Sequence, residues 1–303
     1  MKAVRFKENP IIVAAMPGLT RELPISINGP SVIKVPDWVE NKLGKYYLYF
    51  AHHRGAYIRL AYADNLSGPW RVYEKGTLHL SQTCCEDHIA SPDVHIDNDH
   101  KEFRMYFHGP CPSSEKAKSL FDESQVTFLA YSKDGINFSA DREVLGLFYF
   151  RVFKYKDYFY AIAKNKNKGG IIYRSKDGKR EFEAGPEIIP RMRHCAVKLD
   201  NNTLLIFFTR LLDCPESVLL SYLDLSKDWT AWQVKEAKIL LKPELDFEGA
   251  NLPLAPSMPG MPHAPVNQLR DPCIFEEDGR TFLFYSAAGE SCIAIAELID
   301  DIA

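Results

Sequence analysis

One ordered group of segments recurs five times along the chain, and any fold for this sequence must accommodate that recurrence first. Each copy runs from a short strand through a polar turn to an aromatic or β-branched strand, then through a loop to a third strand. The first copy is the clearest. Its turn is Glu40-Asn41-Lys42-Leu43-Gly44-Lys45, its second strand Tyr46-Tyr47-Leu48-Tyr49-Phe50, its loop Ala51-His52-His53-Arg54-Gly55 and its third strand Ile58-Arg59-Leu60-Ala61-Tyr62-Ala63. The second strands of the later copies are Phe103-Arg104-Met105-Tyr106-Phe107-His108, Tyr158-Phe159-Tyr160-Ala161-Ile162-Ala163, Leu204-Leu205-Ile206-Phe207-Phe208-Thr209 and Thr281-Phe282-Leu283-Phe284-Tyr285-Ser286. A period of about 50 residues with four strands per unit predicts an all-β fold, a five-bladed β-propeller with four antiparallel strands per blade. The fifth copy runs out of chain after its third strand, and an unpaired strand edge invites aggregation. Ala3-Val4-Arg5-Phe6 therefore supplies the missing strand beside residues 293–297 and closes the ring. A β-sandwich with one long insertion, the alternative, gives no reason for five ordered copies.

The repeats fill residues 1–303, so one propeller domain accounts for the whole length. A net charge of −3 supplies no field for holding a nucleic-acid backbone or an anionic membrane. No run approaches the ~18 apolar residues of a membrane span, and the first residues lack a signal-peptide core, which predicts a soluble, cytoplasmic protein. Seven cysteines without CxxC spacing fit neither a disulfide framework nor a zinc site, and free thiols in a reducing compartment are expected.

Ala90-Ser91-Pro92-Asp93-Val94 resembles the Trp-Ala-Pro-Asp-Val that opens the second blade of family 43 glycoside hydrolases, and Arg270-Asp271-Pro272 is similar to strand openings in that family and its relatives. With the tyrosine-rich second strands, these segments mark a resemblance to the five-bladed propeller glycoside hydrolases of families 43, 32, 68, 117 and 130. The resemblance implies a pocket on one face of the disc and carbohydrate chemistry within it. The family 43 carboxylate triad does not carry over. Where the first, third and fourth blades of that family open with two Asp and a Glu, this chain has Asn28-Gly29-Pro30-Ser31, Phe150-Arg151-Val152 and Arg193-His194-Cys195.

In a four-stranded antiparallel blade, the start of the innermost strand and the loop joining the second and third strands lie at the same end. One face of the disc therefore collects Ser31, Asp93, Arg151, Arg193, His194, Arg270 and Asp271 from strand starts. From the loops it collects His52, His53, Arg54, His108, Lys164, Arg210 and Glu290. A lone strand-end histidine is usually a hydrogen-bonded structural residue, Arg-Asp-Pro is as readily an internal ion pair, and the four tryptophans read as packing between blades. Three arginines and up to four histidines on one rim still form a basic set, and the planar guanidinium fork suits carboxylate, sulfate or phosphate.

Glycosidic chemistry needs a proton donor and a group that activates the nucleophile. Asp93 and Asp271 are the best-placed carboxylates. Glu248 lies in a long Pro-rich segment before blade five that is expected to fold over the pocket, and His194 would serve as the acid that a histidine is in family 117. The expected catalytic set is thus Asp93, Asp271, His194 and Glu248, and the substrate-binding set His52, His53, Arg54, His108, Arg151, Arg193, Arg210 and Arg270. The function expected is glycoside hydrolysis of a sugar or short oligosaccharide, one bearing an anionic group if the arginines line the pocket. Phosphorolysis on the same fold and sugar binding without catalysis are the alternatives. No cofactor or catalytic metal is required, and the central channel offers a place for a structural cation such as calcium.

Overall fold

A strand covered on both faces has no polar side to show, so its sequence is apolar throughout instead of alternating. The second strand of blade one, Tyr46–Ala51, is such a strand, buried along its whole length. Tyr47 and Tyr49 pack with Phe103, Met105 and Phe107 of blade two, while Tyr46, Leu48 and Phe50 pack with Phe275, Phe282 and Phe284 of blade five. The same alternation repeats around the ring, so the core consists of five apolar clusters, one between each neighbouring pair of blades. Trp229 and Trp232 fill the seam between blades three and four, where Trp232 lies 4.8 Å from the Tyr160 ring.

The computed structural model describes residues 1–19, 25–120 and 125–300. Its five antiparallel sheets follow the sequence copies in order. The innermost strands are Asn28–Lys34, Ala90–Asp97, Arg151–Tyr155, Met192–Asp200 and Arg270–Glu277, and each is followed outward by the next strands of its own blade. Closure is by the N-terminus: Lys2–Arg5 is the outer strand of blade five, with Ala3 opposite Leu298 and Arg5 opposite Ala296. A second short strand, Ile12–Val13, pairs with the same edge further along. Among the described residues no helix is long and apolar enough to cross a membrane.

Glu248 belongs to this closure and not to the pocket. Its carboxylate is completely buried and takes a forked pair of hydrogen bonds from Arg5, Nε to Oε1 at 2.7 Å and Nη2 to Oε2 at 3.0 Å. The Tyr285 hydroxyl donates to Oε1 at 2.7 Å, and the backbone N–H groups of Glu244 and Leu245 donate to Oε2. Every lone pair is engaged in latching the N-terminal strand to blade five, so the catalytic role expected for Glu248 is corrected to a structural one.

This latch makes a prediction. Arg5→Ala strands a buried carboxylate and should cost about 3 kcal/mol, read as a lower urea midpoint, whereas Lys2→Ala on the same strand should change little. Equal midpoints for the two variants would refute the latch.

Candidate active site

The innermost strands share a local irregularity at their starts. In blades one, two and five the residue before a proline adopts a left-handed backbone, Gly29 (φ 59°), Ser91 (φ 51°) and Asp271 (φ 47°), and the pairing register slips at that step. Tyr149 of blade three holds the same conformation (φ 68°) just ahead of its strand. Glycine suits this position in blade one, since a Cβ on Gly29 would lie 3.0 Å from the Ser91 Cα, tight enough that the neighbouring backbone would have to shift. Such bulges re-aim side chains, and non-glycine residues held at positive φ carry strain that a site must offset elsewhere. Here they turn Ser91, Tyr149 and Asp271 up into a cleft on the axial face, which His194 completes as floor.

That cleft encloses about 210 Å³ and is walled by His53, His88, His108, Gln125, Lys164 and Glu290, with Pro259 and Gly260 of the Pro-rich segment on one side. Asp271 is its central acid. The side chain is buried, Oδ1 receives the Tyr149 hydroxyl at 3.5 Å and faces His194 Nε2 at 3.4 Å, and Oδ2 has no hydrogen-bond partner. Burial, followed by the charge of Glu290, pushes its carboxyl up to about 7, against the pull of Arg193, Arg270 and Arg151. His194 accepts the Asp271 backbone N–H at Nδ1 (3.4 Å), and burial together with the charges of Arg193 and Lys164 holds the imidazole far below its usual range. A neutral imidazole has no readily released proton, which is at odds with the acid role expected of His194.

Glu290 is the opposite kind of carboxylate. Oε2 accepts from Ser26 Oγ (2.7 Å) and Asn28 Nδ2 (2.8 Å) and faces His53 Nδ1 at 3.5 Å, while Oε1 accepts from Arg270 Nη1 at 3.1 Å. Burial alone would raise its carboxyl, but the hydrogen bond and charge of His53 and the charge of Arg270 win and hold it well below the usual carboxylate range. Arg270 reaches behind the cleft to Glu216, Nε to Oε2 at 3.1 Å. Glu216 is completely buried, accepts from Ser257 Oγ at 2.6 Å, and faces Arg193 Nε at 3.6 Å. Arg193 in turn donates to Ser257 Oγ, to the Met258 carbonyl and to the Gly260 carbonyl, tying down the segment that walls the cleft.

The expected residues separate accordingly. Asp271, His194, His53 and His108 line the cleft, as do Lys164 and Glu290. Asp93 does not: it lies two residues beyond the bulge and borders the channel beneath with Ser31, Arg151 and Cys273, accepting from His95 Nε2 and the Val152 N–H, both at 2.8 Å. Arg151, Arg193 and Arg270 are buried, with Arg151 stacked 4.0 Å from the Tyr149 ring centroid, and among the described residues no arginine lines the cleft. The arginine anion pocket is therefore corrected: Arg193 and Arg270 are held by Glu216, Glu290 and the carbonyls of Met258 and Gly260, and Arg151 Nη1 donates to the Ser91 and Phe150 carbonyls. Arg210 pairs with Asp213 at 2.9 Å, Arg54 is exposed, and His52 Nδ1 accepts the Arg54 N–H, all outside the cleft lining. Among the described residues no group of three or more His, Cys, Asp or Glu side chains is arranged to hold a metal ion.

Glu216, Tyr149 and His88 escaped the sequence reading. A signal for Glu216 existed, since Glu216 and Glu290 each stand two residues before the third strand of their blades, Val218–Asp224 and Cys292–Ile299. The pairing yields a prediction: Arg193→Ala leaves Glu216 short of a partner and should cost about 3 kcal/mol of stability, while the ratio of affinities for anionic and neutral sugars stays unchanged. A tenfold fall in that ratio, measured by calorimetry on the folded variant, would restore Arg193 as an anion ligand.

No family model matches the chain. The protein is similar in structure to CoXyl43, a GH43 β-xylosidase/α-arabinofuranosidase from a compost microbial metagenome determined in complex with xylotriose, with a TM-score of 0.59, 12% identity and 93% of each chain covered. It is also similar to a structure from the GH130 family of mannoside phosphorylases, which contains glycoside hydrolases that target β-1,2-mannosidic linkages in Candida mannan, with a TM-score of 0.67, 10% identity, and 97% and 93% coverage. At these identities the likeness is one of fold, the five-bladed propeller of the glycoside hydrolases. In sequence the chain is 38% identical over 330 aligned residues to "Uncharacterized protein R118" of Acanthamoeba polyphaga mimivirus, an alignment covering 97% of this chain and 90% of that protein. The chain belongs to the family of that mimivirus protein.

Proposed function

We propose that this protein cleaves a glycosidic bond in a sugar or short oligosaccharide, with Asp271 as the proton donor. The observation that carries the reading is one carboxyl, buried at the cleft floor, raised to about 7 and holding an oxygen that no protein group engages. A carboxylic acid still protonated near neutrality, with one buried oxygen that the protein leaves unpaired, holds the proton that cleavage of a glycosidic bond requires. When the proton leaves Oδ2 and the anomeric C–O bond breaks, the new carboxylate is met by the charges of Arg193, Arg270 and Arg151 behind it.

A specific observation favours phosphorolysis over hydrolysis as the form of this chemistry. Both Glu290 oxygens are committed and its carboxyl is held low, so among the described cleft residues no carboxylate is left to take a proton from water. An incoming phosphate brings its own charge and needs no base. Lys164, with its ammonium lowered to about 8 chiefly by burial, is the amine on that cleft, beside His53 and His108.

The test is turnover of manno- and xylo-oligosaccharide panels with and without inorganic phosphate. Product only with phosphate supports phosphorolysis, product without it hydrolysis, and sugar binding with no product in either arm refutes catalysis. Because the acid must be protonated, kcat/KM should fall as pH rises through about 7. Asp271→Asn, which keeps a residue that tolerates positive φ, should lower kcat by about 10²- to 10⁴-fold with little change in sugar affinity.

A further inference from the structure

Three thiols cluster on the loop that leads to the cleft residue His88 and on the segment beside it, and take no part in the chemistry above. Cys84 and Cys85 lie on the loop that leads to His88, and Cys111 follows the second strand of blade two, Glu102–Pro110. The two segments run side by side: the Glu86 N–H donates to the Pro110 carbonyl at 2.8 Å, and the Cys111 thiol donates to the Cys84 carbonyl at 3.2 Å. The approach is close enough that a Cβ on Gly109 would lie 2.8 Å from Cys85 Sγ. Cys85 and Cys111 are buried and Cys84 is partly open to solvent.

We infer that Cys84 is a peroxide-sensitive modification site that Cys111 resolves as a disulfide. Cys84 is the one of the three residues that is not buried, and the flanking thiols supply the activation. Hydrogen bonding from Cys85 is the largest influence, burial opposes it, and hydrogen bonding from Cys111 and the charge of Arg142 add to it, holding the Cys84 thiol down at about 6. The same contact with Cys84, together with burial, drives Cys85 up, and burial raises Cys111. A partly exposed thiolate beside a second thiol is the arrangement of a redox-sensing cysteine.

The steps balance with a hydroperoxide as oxidant. The Cys84 thiolate attacks the peroxide oxygen, the O–O bond breaks, sulfur is oxidised to the sulfenic acid and the peroxide, taking up a proton, leaves as an alcohol or water. The Cys111 thiol then attacks the sulfenic sulfur, the S–O bond breaks, the S–S bond forms and one water leaves. Cys111 is the resolving partner and not Cys85, because a bridge between adjacent residues closes a strained ring. The bridge would pull on the loop carrying His88, a wall of the cleft.

Cys214, exposed on the loop before Glu216, is an internal control. Reduced full-length protein is treated at pH 7 with one equivalent of hydrogen peroxide and analysed by differential alkylation and peptide mass spectrometry. Cys84 should be oxidised at least tenfold faster than Cys214 and be recovered joined to Cys111. In Cys111→Ser, a dimedone adduct should accumulate on Cys84, and in Cys84→Ser neither species should form. Oxidation of Cys214 as fast as Cys84, or a bridge joining Cys84 to Cys85, overturns the inference. The readout is chemical, so it stands or falls independently of the glycoside reading.

Discussion

Arg270 lies between two buried carboxylates, its Nε on Glu216 and its Nη1 on Glu290, with Nη2 on Gln268 Oε1 at 2.5 Å. Arg193 faces the same Glu216 from the other side. Burying four charges is expensive, and such networks are seldom the cheapest route to stability. What this one provides is position and potential. It fixes the loops of blades four and five and the strap at 257–260 around one cleft, and it keeps Glu290 ionised. Burial first, and then the charge of Glu290 beside it, make Asp271 resist ionisation. Two carboxyls in one site are thus driven apart, the arrangement that separates an acid from a permanent anion.

The rest of the molecule serves to hold that network. Five seams of apolar packing fix the innermost strands, and the Arg5–Glu248 latch shuts the ring at the seam where the chain begins and ends. Positive-φ residues at the strand starts are affordable only in such a frame, since each would relax to extended backbone in a looser one. Closure reaches the cleft through blade five: the N-terminal strand pairs with Cys292–Ile299, the strand that follows Glu290, while Asp271 starts the innermost strand at the opposite edge of the same sheet.

The blade count and the closing strand were legible because burial on both faces of a blade writes long aromatic runs at a fixed spacing. The floor of the site was legible only to within two residues. Asp93 and Arg151 stand at strand starts in sequence, but the bulge at Ser91 and the left-handed Tyr149 ahead of its strand put the cleft-lining position two residues earlier. A residue before proline ordinarily prefers extended backbone, so nothing in Ser91-Pro92 or Asp271-Pro272 announces a left-handed turn except its recurrence in three blades. The arginines misled for a different reason. Counting cations on a rim says nothing of their partners, and Glu216 reaches Arg193 and Arg270 from a loop of blade four that is remote from Arg270 in sequence. Glu248 misled likewise, because its partner Arg5 lies at the far end of the chain.

The proposed chemistry turns on the ionisation of one carboxyl. Aspartate-selective ¹³C labelling, with the pH titration of the native protein compared with that of Asp271→Asn, isolates the side-chain signal of Asp271. A resonance that titrates near pH 7 and is missing from the variant is the result predicted here. A carboxyl that titrates near 4, the ordinary aspartate value, would mean that the buried charges do not set this site, and the proton-donor role of Asp271 would fall with it.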